Sequence, residues 1–133
     1  MKLERRGDMR LSFRGLAVIA SGVCILLAAV WLAVPQLLLS LWQVDAVPPA
    51  LLAARRGGAL FLGLGLMLWL ARNAGPSPAR SAIAAGLSLS CGALAILGAL
   101  EFALGHAGAG IWLAIAVEAA LGMGFYSVRR AGG

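Results

Sequence analysis

Four apolar runs, each long enough to cross a bilayer, follow one another at residues 11–34, 50–71, 81–104 and 110–128, separated by short polar breaks. A hydrocarbon core of about 30 Å takes about 20 apolar helical residues, so each run predicts one membrane-spanning helix. The breaks carry turn residues. Asn73-Ala74-Gly75-Pro76-Ser77-Pro78 stops the second run and lets Ser77 or Pro78 open the third, and Gly105-His106-Ala107-Gly108 turns the chain before the fourth. Short connections set neighbouring helices side by side in opposite directions. The pattern therefore predicts an all-α, integral-membrane, antiparallel four-helix bundle forming a single domain over residues 1–133.

The first connection is longer. Pro35 ends the first run, Leu37 to Trp42 make a second short apolar stretch, and Asp45 and Pro48-Pro49 precede the second span. Residues 36–43 form either a short interfacial helix or span extension, with Trp42 at headgroup level where its indole N–H stays wet, or a loop packed on the bundle top. The pattern leaves both open. The first run is expected to be retained rather than cleaved: it is longer than the 7–15 residues of a signal-peptide core, and no clear Ala-x-Ala site follows it. Arg5-Arg6, set among Glu4 and Gly7-Asp8, makes no convincing twin-arginine export signal.

Composition agrees with a membrane setting. Residues are 62% hydrophobic and 12% charged, and mean hydropathy is +0.94, which leaves too little polar surface to cover a water-soluble domain. The net charge of +6 is mostly a topology signal. Lys2, Arg5, Arg6, Arg10 and Arg14 precede span one, Arg72 and Arg80 lie between spans two and three, and Arg129 and Arg130 end span four. The opposite side holds only Arg55 and Arg56, so the positive-inside rule puts both termini in the cytoplasm. Basic residues beside a span answer to anionic lipid, and no basic patch with interleaved aromatics marks a nucleic-acid partner.

Small residues recur within the spans at helix-packing spacing: Ala54/Gly58, Ala59/Gly63, Ala84/Ser88/Gly92 and Ala116/Ala120/Gly124. Such rows let backbones approach closely where lipid removes the hydrophobic drive for association. Gly63-Leu64-Gly65 lies inside a span and is no nucleotide loop. Among 18 glycines, no single pair identifies a contact or a homo-oligomer.

Ionisable residues within the spans carry more information, because a charge there is costly and faces the bundle, a partner or water. These are Arg55, Glu101 and Glu118. At 1.5 Å per residue, Arg55 lies about 7 Å, Glu101 about 5 Å and Glu118 about 12 Å below the outer helix ends. Side chains tilt toward their helix N-terminus, so Arg55 and Glu118 lean outward and Glu101 inward. Either the three converge in the outer half, with the guanidinium serving the carboxylates, or Arg55, Arg56 and Glu101 snorkel separately to the interface. Ala114 and Gly122 flank Glu118 with small residues, which suits an inward face.

Other polar groups offer little chemistry. His106 is the sole histidine and is expected to be a wet loop residue, so neither a metal nor a cofactor site is expected. Cys24 and Cys91 lack C-x-x-C spacing and behave as small apolar residues. Ser88 and Ser90 have no nucleophile–base arrangement around them. No catalytic residue emerges, and a non-enzymatic protein is expected.

The segment Leu41-Trp42-Gln43-Val44-Asp45, followed by Ala54-Arg55-Arg56-Gly57-Gly58-Ala59-Leu60-Phe61-Leu62-Gly63-Leu64-Gly65 and Trp69-Leu70-Ala71-Arg72, resembles small bacterial four-helix membrane proteins of the DoxX-like kind. Arg55 and Gly58 fit the recurring Arg-x-x-Gly opening of span two; Arg56 departs from it. The resemblance implies architecture more than activity, since such proteins mostly lack an assigned reaction and some relatives are accessory subunits of membrane redox systems. The expected role is binding at a bacterial inner membrane. A lipid or quinone-like amphiphile, or a partner subunit, would be held around Arg55, Glu101, Glu118 and Trp42. The alternative is a small proton-coupled or ion-conducting carrier using Glu118, distinguishable by a pH-driven flux in proteoliposomes that Glu118→Gln abolishes. No inverted repeat relates the halves, and the inner halves of the spans carry hardly any polar groups to line a path.

Overall fold

A computed structural model of the chain describes residues 12–131, so the basic cluster Lys2, Arg5, Arg6 and Arg10 lies outside the described residues. Among the described residues five helices occur in order: α1 Phe13–Ala33, α2 Pro35–Leu41, α3 Pro48–Ala71, α4 Pro78–Ala103 and α5 Ile111–Ala131. All except α2 are long and apolar enough to cross a membrane. Their outward flanks carry Leu60, Leu70, Leu89, Ile96 and Leu113, all exposed. Water would not tolerate so large an apolar surface on a monomer, whereas lipid does. Aromatic side chains bracket that flank: Trp69 and Tyr126 under the guanidiniums of Arg72 and Arg130 at one end, Phe102 and Trp112 at the other. Such girdles mark the headgroup levels.

Local chemistry fixes each boundary. Ser12 caps α1 by accepting from the Gly15 N–H at 3.1 Å. Pro35 forces Val34 out of the helical region, to φ −139°, which breaks α1 and lets the proline open α2. Of the two alternatives for residues 36–43, the helix is found. It closes on Gln43, at φ 57°, and the chain reverses there with the Val44 N–H donating to the Leu39 carbonyl at 2.9 Å. Ser77 caps α4 by accepting from the Arg80 N–H at 3.2 Å, so α4 begins three residues before the expected 81. Helix α5 runs to Ala131 rather than 128, because Arg129 and Arg130 in its last turn suit the negative end of the helix dipole.

The long helices pack as two antiparallel hairpins, α1 with α3 and α4 with α5. Both are joined by the same device. In the first, the Ser21 hydroxyl donates to the Gly65 carbonyl at 2.7 Å, and Cys24, one turn on, packs over Gly65. In the second, the Ser88 hydroxyl donates to the Gly122 carbonyl at 3.0 Å, and Cys91 packs over Gly122. Ser-x-x-Cys thus recurs on the first helix of each hairpin, against a glycine on the second. Further close approaches place Gly58 against Trp31 and Gly98 against Ile115. Of the small residues singled out in the sequence, Gly58, Ala84, Ser88 and Gly124 lie in such seams or in the core, while Gly63 and Gly92 have open space where a side chain would stand.

Between the hairpins, contact is concentrated at one end. Phe13 meets Phe125 edge to face, with ring centroids 6.3 Å apart, and Leu16, Leu68, Ala84 and Val128 complete this core. Arg14, Arg72, Arg80, Arg129 and Arg130 cluster at the same end, and the Arg80 guanidinium lies over the Phe13 ring.

Candidate functional site

Away from that core the hairpins part. Helix α1 touches α5, but α3 and α4 make no comparable contact, and the gap is a cleft of about 500 Å³. Its depth is set by Val23, the middle residue of α1, and by Glu118 on α5. Apolar side chains from every helix make the walls, among them Leu38, Phe61 and Leu94. Trp31 and Trp42, their ring centroids 5.4 Å apart and planes at 60°, stand toward the end away from the Phe13–Phe125 core. A roof forms where the turn after α2 meets the α4–α5 connection: the Gly108 N–H donates to the Trp42 carbonyl at 2.6 Å. Only glycine suits Gly108 and Gly110 there, because a Cβ would collide with the Gln43 side chain and the Leu41 carbonyl.

A second recess of about 430 Å³ opens on the α4–α5 side and includes Glu101, His106, Ile111 and Gly98. The two hollows share Trp42, Leu94, Ala114 and Glu118. Glu118 therefore stands on the partition between them, with Ala114 one turn away leaving it room. Among the described residues it has neither a hydrogen-bond nor an ion-pair partner.

Of the four residues singled out in the sequence, Trp42, Glu101 and Glu118 line one connected hollow, and Arg55 does not. Arg55 is exposed. It sits three residues before Gly58, which packs on Trp31, and so lies level with the break between α1 and α2. Neither carboxylate pairs with it among the described residues. Glu101 instead meets His106, Oε2 to Nδ1 at 2.8 Å, with both side chains wet. His106 lies exposed in the α4–α5 connection, as expected of a loop residue, and adds a contact that the sequence did not signal.

Spacing alone also missed Trp31. Its signal is positional: a tryptophan just before the Pro35 break, facing the one that follows α2. Cys24 and Cys91 are free thiols, and among the described residues no three His, Cys, Asp or Glu side chains gather where a metal ion would sit. Against family models, curated proteins and solved structures alike the chain finds no match.

Proposed function

We propose that the chain is a multi-pass protein of a bacterial inner membrane, an antiparallel four-helix bundle with both termini in the cytoplasm, that works by binding rather than catalysis. Its ligand is an amphiphile, lipid or quinone-like, taken from the bilayer into the cleft; a membrane protein partner is the other occupant the same surface suits. The carrying observation is the hollow of about 500 Å³ between the hairpins, a volume in the ordinary range of ligand sites, unsealed where α3 and α4 fail to pack. Such an opening faces lipid tails. An amphiphile can slide in sideways without leaving the membrane, while its polar end meets Glu118, Trp42 or the pair Glu101–His106. Orientation is supported by the five described arginines at the Phe13–Phe125 end against Arg55 and Arg56 at the other.

Kinship with DoxX-like proteins is proposed on the residues from Leu41 to Arg72. Within them Gly58 has a packing reason, since a Cβ there would stand 2.8 Å from that of Trp31.

Filling the cleft tests the proposal. Ala114 lines both hollows, so Ala114→Trp should occupy the space that a ligand needs while leaving both seams intact. Native mass spectrometry of the protein released from mild detergent is expected to show a co-purified amphiphile on the unmodified chain, at least tenfold depleted on the variant, with the melting temperature held. Equal retention on both would place the ligand elsewhere and overturn the proposal.

A further inference from the structure

We infer that the cleft selects amphiphiles whose polar end is a cation of the ammonium type, an inference that rests on the binding role proposed above and narrows its ligand class. Three features converge. Among the described residues, Glu118 is the only ionisable side chain lining the larger hollow, and it has no partner there. Arg55 and Arg56 are exposed and outside the lining, and His106 in the adjoining recess pairs with Glu101, so no described basic side chain answers this carboxyl group. Toward the outer end, Trp31 and Trp42 make an aromatic corner, and indole faces attract cations most strongly where water is excluded.

Charge complementarity then decides between ligand classes. An anionic lipid would bring a phosphate toward Glu118 with no described arginine or lysine in the lining to answer it. A neutral amphiphile would satisfy the walls and leave the carboxylate as it was. A ligand joining an apolar body to a positive charge answers both most fully, its body against Leu38, Phe61 and Leu94 and its charge between Glu118 and the indoles.

Two probes of nearly the same size and shape and opposite charge, tetraphenylphosphonium and tetraphenylborate, isolate this term. Calorimetric titration of the full chain in a neutral detergent is expected to show the phosphonium binding about 100-fold more tightly than the borate, as like-charge juxtaposition predicts. Glu118→Gln should abolish the difference, and Glu118→Asp, which keeps the charge, should retain most of it. Equal affinity for both ions, with binding of both lost in Ala114→Trp, would sink the cationic preference and leave the cleft as a binding site. An undiminished preference in Glu118→Gln would likewise remove Glu118 from the account. Failure of either ion and of a neutral amphiphile to bind would overturn the proposed binding role as well.

Discussion

Phe125→Ala is expected to destabilise the protein by about 3–5 kcal/mol, the usual cost of deleting a fully buried phenylalanine side chain. Phe125 has no exposure. It carries the edge-to-face contact with Phe13 and sits among Leu16, Leu68 and Val128 in the core that joins the hairpins. Each hairpin has its own serine–glycine seam, so removing Phe125 should leave four helices and uncouple the two pairs. Unfolding by SDS titration in mixed micelles should therefore show an earlier midpoint with little change in helix content before the transition. Phe102→Ala is the matched control. Phe102 also makes an edge-to-face pair, with Trp112, but on an exposed flank, and the same substitution there should cost under about 1 kcal/mol. Equal losses at the two positions would show that the buried aromatic contact is not what holds the hairpins together.

Gly65→Leu should be nearly as damaging, while Gly63→Leu on the same helix should be close to neutral. Two residues apart on a helix means about 200° of rotation, so the two glycines face opposite ways. A Cβ on Gly65 would lie 2.7 Å from Ile25 Cγ1 and 3.3 Å from the Ile25 backbone nitrogen, whereas one on Gly63 meets nothing within 4 Å. Leucine at 65 pushes α1 from α3 and pulls the Gly65 carbonyl from the Ser21 hydroxyl. Overpacking of this kind costs about 1–3 kcal/mol or more, and the lost interhelical hydrogen bond adds about 0.6 kcal/mol. At 63 the new side chain lies in lipid. The same SDS titration compares the pair, and a Gly63→Leu variant as weak as Gly65→Leu would contradict the assigned helix face.

Much of this architecture was legible in the residues. Apolar length set the four spans, and Pro35, Pro48 and Ser77-Pro78 set breaks between them, because a missing N–H, a fixed φ or a capping hydroxyl acts locally. The seams were only half legible. Gly58 and Ser88 stood out by spacing, but so did Gly63 and Gly92, because spacing says which residues share a face and not which face meets a neighbour. Gly65 and Gly98 went unmarked as contacts for that reason, and Gly122 stood out only as a small residue one turn from Glu118. A repeated signal was nonetheless present in Ser21-x-x-Cys24 and Ser88-x-x-Cys91, visible once the first helix of each hairpin is aligned with the other.

The same phase problem governs the site. Depth along the helix put Arg55 and Glu118 in one half, yet Ala53, Ala54, Gly57 and Phe61 are the α3 residues that line the cleft, and Arg55 is one position, about 100° of rotation, past Ala54. Depth was readable from sequence; azimuth was set by how Gly58 and Gly65 seat α3 on α1. Glu101 found its contact locally instead, in a histidine five residues on that folds back across the Gly105 turn.

A crystal structure of the chain grown from a lipid mesophase tests the central claim most directly. The account predicts α3 and α4 parted beside Phe61 and Leu94, elongated density lying between them, and its polar end against Glu118 and the Trp31–Trp42 corner. Helices α3 and α4 closed on each other along their length, with Glu118 paired to Arg55 and no space left between the hairpins, would contradict it.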